Sequence, residues 1–441
     1  MLHKPLSPLA PKLDFLPTCP PLPTTMVERR PLKVVIIGAG IAGLAAATVL
    51  RKAHDVTIYE KNSKDTVEPS NAVGLGPNGS RMAQLLGLSD LDVQACTITG
   101  YKTWTKDLHL LYDQDMDYEK FTGSNSWTVY RQDLKDALLA SATAPGTGRS
   151  VDIVYDKEID EVDAYDGLVI FSDGTQVTAD LIVGADGVHS KVRPAIEDIT
   201  NAAPVPANLS FFRFSIPYAR LQTLFRKELP APFRFSHGPF LSVVVASDGS
   251  NRNMVIYPCR SGSIVNFGFA VPDHVLKEPS SQSWYSTGSI SELLSHYEDF
   301  PAWTQTVIRS VSPEDVRLYQ VRDLDPLDAY VCGKTVLIGD AAHPMTPHMG
   351  QGTNQALEDA EGLSILLNPK VNASNITDHL YKWEAVRKPR ASEIQLNSRV
   401  AAAKVEPAVF MERLRFIWDY HGIDDALDKM MNHLASTYLD R

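Results

Sequence analysis

Hydrophobic residues recur in short runs from residue 33 onward. Lys33 to Ile37 is a β-branched run typical of a buried strand, Ile41 to Lys52 has the pattern of a helix, and Asp55 to Tyr59 is a second β-branched run. A strand, a helix and a second strand in this order predict a parallel sheet. Helix Gln132 to Ser141 is expected between further strands. Those strands are predicted at Trp127 to Tyr130, Ile153 to Asp163, Gly167 to Phe171 and Gln176 to Val183.

The pattern changes between about Leu209 and Ala270 to an aromatic-rich alternation, as in "FFRFSIPY", "FLSVVVAS", "NMVIYPC" and "SIVNFGFA". This alternation predicts an antiparallel sheet. Lys334 to Gly339 is again a buried-strand run, and it leads into a helical stretch that begins near Gln351. We therefore predict an α/β domain that is interrupted by an antiparallel-sheet domain and completed by the C-terminal third.

These changes of pattern divide the chain into five predicted segments. The first contains eight prolines, which exclude helix and strand pairing, so we expect a disordered arm. The last has an amphipathic pattern and is predicted to be helical. The segments are the arm at 1–32, the first part of the α/β domain at 33–205, the antiparallel-sheet domain at 206–315, the completion of the α/β domain at 316–395 and the C-terminal helices at 396–441.

Charge and cysteine content exclude several classes of protein. The formal net charge of -11 provides no basic field for nucleic acid or an anionic membrane. The four cysteines have none of the spacings of a disulfide framework or a zinc site, so we expect a reducing, cytoplasmic location and no metal. The longest uncharged apolar run, Val34 to Leu50, contains three glycines and is predicted to be strand, turn and helix rather than a membrane span. The oligomeric state stays open.

A glycine motif joins the first strand to the first helix. In "VVIIGAGIAGLAAA", Gly38, Gly40 and Gly43 have the GxGxxG spacing of a Rossmann-type dinucleotide site. Gly38 permits the tight turn, Gly40 lets the backbone approach a pyrophosphate at the helix N-terminus, and Gly43 allows close helix-sheet packing. Glu60 follows the second strand, where a carboxylate binds both adenosine ribose hydroxyls and excludes a 2'-phosphate. The bound nucleotide is therefore FAD or NAD.

Two further segments decide between these nucleotides. They are "DLIVGADGVHSKVR" and "VLIGDAAHPMTPHMGQGTNQALEDA". Together with the glycine loop, they resemble the three fingerprints of group A FAD-dependent monooxygenases, of the salicylate hydroxylase and para-hydroxybenzoate hydroxylase type. The resemblance covers roughly residues 33 to 395 and is closest to fungal secondary-metabolite hydroxylases. It implies FAD as the cofactor and a Rossmann-type FAD-binding domain interrupted by a substrate domain.

The resemblance also implies roles for particular residues. Asp340 would bind the flavin-side ribose or the ribityl chain, and Asp186 with Gly187 would lie near the pyrophosphate. Arg131 occupies the place of an arginine on the flavin chain, and Ala72 to Asn78 resembles a flavin-contacting loop. The residues expected beneath the isoalloxazine ring, where a helix N-terminus favours the charge of reduced flavin, are Pro347, Gly350, Gln351, Gly352 and Thr353.

The implied reaction is hydroxylation of a phenolic, aromatic or polyketide-derived small molecule. NADPH or NADH reduces the flavin, molecular oxygen reacts with it, and the resulting hydroperoxide transfers a hydroxyl group. On the predicted middle sheet, Arg213 could bind a carboxylate or phenolate, and Tyr257 could deprotonate or orient a ring hydroxyl. His237, His343 and His348 are further candidates.

Other readings of the same fold remain open. An FAD-dependent dehydrogenase or reductase, or an epoxidase of a non-aromatic metabolite, would use the same cofactor. A flavin-dependent halogenase is a poorer match, because the WxWxIP signature is absent around every tryptophan. A non-catalytic interaction protein that carries a flavin belongs to another class, and it would be favoured if no pyridine nucleotide reduced the flavin.

Overall fold

The computed structural model describes residues 30–66, 72–146, 148–196, 203–226, 228–277, 286–400 and 406–439. Over these residues the strands are β1 (Lys33–Ile37), β2 (Asp55–Tyr59), β3 (Ala72–Leu75), β4 (Cys96–Ile98), β5 (Gly100–Thr105), β6 (Leu110–Asp115), β7 (Ser126–Tyr130), β8 (Asp152–Val154), β9 (Ile159–Asp163), β10 (Leu168–Phe171), β11 (Gln176–Thr178), β12 (Leu181–Gly184), β13 (Val205–Pro217), β14 (Leu241–Val245), β15 (Asn253–Cys259), β16 (Ile264–Pro272), β17 (Arg317–Asp323), β18 (Val331–Cys332) and β19 (Thr335–Leu337). The α-helices are α1 (Ile41–Leu50), α2 (Pro77–Leu85), α3 (Tyr118–Thr122), α4 (Arg131–Thr143), α5 (Tyr218–Leu224), α6 (Ile290–His296), α7 (Ala302–Arg309), α8 (Gly352–Gly362), α9 (Ile376–Ser398), α10 (Pro407–Trp418) and α11 (Ile423–Leu439).

A six-stranded sheet contains the predicted strand-helix-strand unit. Its order is β18-β19-β12-β1-β2-β8, and all neighbours pair in parallel except β18 and β19. Every residue of β12 is buried, as are four of the five residues of β1. Parallel sheets are covered on both faces, which explains why these strands are almost wholly apolar. The α/β class predicted from the sequence is confirmed.

A seven-stranded sheet forms the second layer, in the order β17-β13-β16-β15-β14-β5-β6. Its four middle strands, β13 to β16, are those predicted from the aromatic alternation, and they pair antiparallel. The antiparallel sheet predicted for this segment is confirmed, and the parallel pair of β14 with β5 involves a strand from outside the segment. Strands β5, β6 and β17 join this sheet from outside the predicted segment 206–315. The domain boundaries stay a prediction.

The two faces of the seven-stranded sheet have different chemistry. Side chains alternate between faces along a strand, so Phe212 and Phe214 point one way while Arg213 points the other. The phenylalanine face is packed with apolar residues of α6 and α7. On β16, Gly268 is the partner of Arg213 and Asn266 is the partner of Tyr257. These two partners are two residues apart, so they face the same side of the sheet. Arg213 and Tyr257 therefore share one face.

Smaller elements complete the molecule. Strands β3, β7 and β4 form a three-stranded sheet, and β9, β10 and β11 form another. The predicted helical tail consists of α10 and α11 after the end of α9, while residues 401–405 lie outside the described residues. The predicted arm also lies outside them except for residues 30–32, of which Leu32 is buried. Among the described residues, no helix combines the length and apolar composition needed to cross a membrane.

Candidate functional site

The junction of β1 and α1 depends on two closely packed glycines. Gly38 has φ +104° and donates its backbone N–H to the Tyr59 carbonyl at 2.8 Å. A Cβ on Gly38 would lie 2.5 Å from the Ala185 carbonyl oxygen, and one on Gly43 would lie 2.0 Å from the Gly38 carbonyl oxygen. Both distances are too short for any side chain. These glycines therefore allow α1 to begin directly against the sheet.

Other glycines border open space instead. Gly40 is the N-cap of α1 and supplies no side-chain cap, so the first N–H groups of α1 stay available to a ligand. A Cβ at Gly40 would meet no atom of the described residues within 4 Å. The same is true at Gly187 and Gly350 of the other two predicted fingerprints and at Gly74 of the predicted flavin-contacting segment. The backbone is thus exposed to an adjoining molecule at four places, which suits an elongated dinucleotide.

Glu60 is fixed beside the glycine turn. Its Oε2 accepts the Ala39 backbone N–H at 2.7 Å, and its Oε1 accepts both the backbone N–H and the side-chain amide of Asn62 at 2.8 and 2.7 Å. A carboxylate has about four acceptor positions, so Glu60 retains capacity for a ribose hydroxyl. Its position agrees with the predicted contact to adenosine.

Two cations project from the start of α4. Arg131 is the first residue of this helix, and Lys135 follows one turn later on the same side. Burial and the charge of Arg131 lower the pKa of Lys135, while Glu60 acts in the opposite direction. The two cations act electrostatically on Glu60 at one end and on Asp340 at the other, and such a position suits a pyrophosphate. Lys135 was not among the sequence candidates, although its i, i+4 spacing from Arg131 was a usable signal.

The carboxylate of Asp186 is used within its own turn. It accepts the Ser190 hydroxyl at 2.6 Å and the backbone N–H groups of Lys191 and Val192 at 2.7 and 3.2 Å. Burial raises the pKa of Asp186, although these hydrogen bonds oppose the change. Of the predicted Asp-Gly pair, the backbone at Gly187 is therefore the part that borders open space.

Arg193 joins two of the fingerprint segments. It is almost completely buried and donates to the carbonyls of Val188, Ala341 and Asp340, at 2.7 Å to Ala341 and 2.9 Å to Asp340. Burial raises the pKa of the Asp340 carboxyl, and the charges of His343, Arg131 and Arg193 oppose this. The sequence placed Asp340 correctly after its strand, but it gave no sign of the contact with Arg193.

The segment 347–353 lies beside β3 and the turn at Gly76, because the predicted flavin-contacting loop from Ala72 to Asn78 is a strand followed by the start of α2. Pro347 opens a single 3-10 turn, Gly350 has φ +62°, and α8 begins at Gly352, followed by a half-buried Thr353. A Cβ on Gly352 would be 3.9 Å from Oδ1 of Asp340. The five predicted residues thus belong to one short loop that ends at a helix N-terminus next to Asp340.

Asn354 clamps this loop to its neighbour. Its Oδ1 accepts the Gly76 N–H at 2.9 Å, and its Nδ2 donates to the Gly74 and Gly350 carbonyls at 3.0 and 2.7 Å. The side chain is fully buried. Three backbone groups from two loops are therefore held by one amide, which sequence reasoning did not identify.

Arg213 and Tyr257 lie on the face of the seven-stranded sheet opposite Phe212 and Phe214, among aromatic and apolar neighbours. The Arg213 guanidinium stands over the rings of Phe211 and Tyr319, 5.6 and 5.0 Å from their centroids. Tyr257 donates its hydroxyl to the Ala72 carbonyl at 2.8 Å. Burial raises the pKa of Tyr257 far above its usual value, although Arg213 acts to lower it. The sheet face thus touches the predicted flavin-contacting loop directly.

The three candidate histidines occupy three different environments. His343 is fully buried, with its Nε2 2.6 Å from Oδ2 of Asp359. His348 lies in the 347–353 loop, where its Nδ1 is 2.9 Å from the Ser398 carbonyl. His237 is exposed and lines a surface cleft of about 400 Å³ with residues of β4 and of the turn before α3. The structure does not gather them into one cluster.

These features together fit FAD. The open glycines, the uncapped α1 terminus, the acid beside it and the clamped loops form one cradle of backbone and polar groups. Across the described ranges, no three histidine, cysteine or acidic residues are grouped as metal ligands.

Comparison with known proteins agrees with this site. Residues 31–398 match the family described as FAD binding domain. The chain is 32% identical over 383 residues to hispidin-3-hydroxylase of Neonothopanus nambi, covering 83% of this chain and 87% of that protein. It is 30% identical over 384 residues to salicylate hydroxylase of Pseudomonas putida, covering 83% and 84%. A solved salicylate hydroxylase substrate complex superimposes with a TM-score of 0.71 at 25% identity, covering 90% of this chain and 97% of that one.

The matched residues include all three fingerprint segments and both sheets. This chain belongs to the FAD binding domain family. Within that family it is an FAD-dependent monooxygenase, as are the relatives that align over most of its length. The predicted family, fold class and FAD cofactor are confirmed.

Proposed function

We propose that this monooxygenase hydroxylates an anionic aromatic molecule, either a phenolic acid or an acidic polyketide-derived phenol, with NADPH or NADH as reductant and molecular oxygen as co-substrate. Bound FAD supplies the redox chemistry that activates oxygen. The protein's own part is to bind the aromatic ring, to orient it and to keep water away from the reacting atoms. Two of the relatives are a hispidin-3-hydroxylase and a salicylate hydroxylase, which supports an aromatic substrate.

The proposed cofactor contacts follow the cradle. The glycine turn and the N-terminus of α1 would hold the pyrophosphate with Arg131 and Lys135, and Glu60 would bind the adenosine ribose. Asp340 would bind the flavin-side ribose or ribityl chain. The loop 347–353 and Ala72 would lie along the ring system, where two open glycines, Gly74 and Gly350, leave room for it.

Arg213 carries the proposal of an anionic substrate. The guanidinium is half-buried over two aromatic rings, and within the described part of the chain it has no carboxylate partner. Other arginines that stand over rings do have such partners: Arg252, over Phe300, is paired with Asp248 and Asp299. A cation removed from water without a counter-ion is unfavourable. A carboxylate or phenolate of the substrate would supply the missing charge.

We propose that Tyr257 has a structural positioning role and does not accept a proton from the substrate. Its hydroxyl already donates to the Ala72 carbonyl, and its raised pKa makes the tyrosinate inaccessible near neutral pH. We therefore assign the binding of the substrate anion to Arg213. Tyr257 would keep the seven-stranded sheet and β3 at a fixed separation.

Arg213→Met tests this assignment, because methionine retains an unbranched side chain over the rings and removes the charge. We expect FAD to remain bound. Phenolic acids should lose at least about tenfold in kcat/KM, the effect of one lost charge-assisted contact of about 1.5–3 kcal/mol, while matched phenols without the carboxylate should change much less. The measurements are substrate-stimulated NAD(P)H oxidation, oxygen uptake and product mass.

Arg252→Met is the matched control, since it removes another ring-stacked arginine whose charge is already paired. It should lower stability without changing the ratio of acid to phenol turnover. An unchanged ratio in Arg213→Met would remove Arg213 from the substrate site. NAD(P)H oxidation without oxygen consumption would instead favour a dehydrogenase.

We also propose a cytoplasmic location, which rests on the cysteine pattern of the sequence and on the reductant that the reaction consumes. Localisation of a fluorescent fusion tests it.

A further inference from the structure

A buried carboxylate lies behind the loop 347–353, one helical turn and a half along α8. Glu358 is fully buried and accepts five hydrogen bonds from three helices. Its Oε1 accepts from Asn78 of α2 at 2.7 Å, from Gln355 of α8 at 3.0 Å and from Arg390 of α9 at 2.9 Å. Its Oε2 accepts from Arg390 at 2.7 Å and from Arg387.

The charge of Glu358 is retained despite its burial. Desolvation opposes ionisation, but Arg390 and Arg387 outweigh it and hold the pKa of Glu358 below its usual value. Arg387 also donates to the adjacent Asp359 at 3.0 Å. A buried ion pair contributes little to stability compared with well-packed apolar residues, and its best-attested use is to fix one arrangement among several. Here the buried ion pair fixes the positions of α2, α8 and α9, and one side chain of α2 extends from it to the loop 347–353.

That group is Asn78, the second residue of α2. Its Nδ2 donates to Glu358 at 2.7 Å and to Oε1 of Gln351 at 3.0 Å. The amide nitrogen has two hydrogens, so each acceptor takes one and the Asn78 side chain cannot rotate without losing both. Gln355 also donates to Oε1 of Gln351, at 3.3 Å.

The orientation of the Gln351 amide follows from these bonds. Because its oxygen faces Asn78 and Gln355, its Nε2 must face the other way. There it lies 3.5 Å from the Met349 carbonyl and 3.7 Å from the position of a Cβ on Gly76. Gln351 is only 4% exposed, so its amide is fixed on the packed side of the loop 347–353, directly before the first residue of α8.

We infer that Glu358 and Asn78 form a relay that acts through the Gln351 amide to fix the N-terminus of α8 beside the flavin, so that both are positioning residues for the cofactor. The inference rests on the proposed position of the flavin along the loop 347–353. Reduced flavin carries more negative charge than oxidised flavin, so a helix N-terminus held near it favours the reduced form. Without the relay, Gln351 loses the hydrogen bonds that hold it, and the N-terminus of α8 is no longer fixed beside the ring. The relay therefore raises the midpoint potential of the bound flavin.

Asn78→Ala tests the relay and leaves four of the five hydrogen bonds to Glu358 in place. We expect FAD to remain bound, with reduced FAD bound about tenfold less tightly relative to oxidised FAD than in the natural chain. For a two-electron couple this lowers the midpoint potential by about 30 mV. The potential is measured by reductive titration of the holoenzyme against a reference dye. An unchanged potential with FAD bound would overturn the relay.

Ser80→Ala is the matched control. Ser80 is equally buried on the same helix, and its hydroxyl donates to the Asn125 and Pro77 carbonyls rather than towards the loop 347–353. This variant should lose thermal stability, as Asn78→Ala does. Its midpoint potential should equal that of the natural enzyme. A comparable shift in Ser80→Ala would show that any weakening of α2 moves the potential, which contradicts the relay.

Gln351→Ala is a second test of the relay, because it removes the amide that Asn78 holds and leaves the buried carboxylate of Glu358 unchanged. It should reproduce the lowered potential even if Asn78→Ala does not fold. In the double variant the two effects should not add, since Asn78 acts only through Gln351. Additive effects, or a natural potential in Gln351→Ala, would overturn the relay. A natural chain that bound no FAD would instead overturn the proposed cofactor position.

Discussion

The two large sheets make their sites by different means. In the six-stranded sheet, the site is built from backbone: glycines where a Cβ would either collide or point into open space, and a helix N-terminus without a side-chain cap. In the seven-stranded sheet, the proposed substrate site is built from side chains on one face, with Arg213 over two rings. Backbone sites tolerate almost no substitution at fixed positions, whereas a side-chain face can be changed one residue at a time. The difference suits a constant cofactor and a variable substrate.

The largest effect that would sharpen this contrast is expected from Gly43→Ala. The added Cβ would lie 2.0 Å from the Gly38 carbonyl oxygen, so α1 must move away from β1. We expect loss of the folded state, or at least about 4 kcal/mol of the free energy of unfolding. Gly40→Ala is the matched control, because its Cβ meets nothing within 4 Å. It should fold normally and bind FAD more weakly, as seen in flavin fluorescence titrations. Equal stability of the two variants would contradict the contrast.

A smaller effect is expected from Phe267→Ala in the other sheet. Phe267 is fully buried and contacts the rings of Phe214 and Phe233, with centroids 5.7 Å apart in both pairs. Its removal should lower the free energy of unfolding by about 3–5 kcal/mol. Because it lies on the face opposite Arg213, FAD affinity of the folded protein should stay within about twofold of the natural value. Denaturant unfolding and FAD titration measure the two quantities. A fall in FAD affinity like that of Gly40→Ala would show that the two regions are not separable.

The smallest effect concerns the attachment of the C-terminal helices to α8. Glu361 of α8 accepts the Ile423 N–H at 3.0 Å, and burial raises its pKa to about 7. A carboxyl that holds its proton more tightly in the folded than in the unfolded state loses stabilising free energy as the pH rises between the two pKa values, here from 4.5 to about 7. Over this pH window, the free energy of unfolding of the natural chain should fall by at most about 3 kcal/mol relative to that of Glu361→Gln.

Thermal unfolding of both proteins between pH 4.5 and 8 measures this difference. Glu393→Gln, which changes an exposed acid on α9, should follow the curve of the natural chain. Parallel curves for the natural chain and Glu361→Gln would show that Glu361 is ionised throughout, contrary to its burial against α11.

The backbone site was also the part most accessible to sequence reasoning. The predicted bounds of β1 and β2 are those of the structure, and α1 ends two residues before the predicted Lys52. Buried parallel strands are continuous apolar runs and the turn between them is marked by glycine, so local sequence carries nearly all the information.

Elements whose partners are distant in sequence were missed. Strand β6 consists mostly of exposed residues, and most residues of β5 are half-buried, so neither strand has a periodic apolar signal. Strand β5 joins the sheet through a parallel pairing with the distant β14. The buried amides and charges behind the loop 347–353 are also invisible locally: Asn354 contacts Gly76 across 278 residues, and Glu358 contacts Asn78 across 280. Their residue types are typical of exposed helix surfaces. Only the three-dimensional arrangement shows that they are interior.

The hydrogen bond from Tyr257 to Ala72 has a consequence for engineering. It joins the seven-stranded sheet to the loop that Asn354 in turn ties to Gly350. Grafting the substrate sheet of a relative onto this chain would therefore break the connection unless the segment from Ala72 to Gly76 were transplanted with it. A successful chimera would need its crossover points chosen to move sheet and loop as one piece.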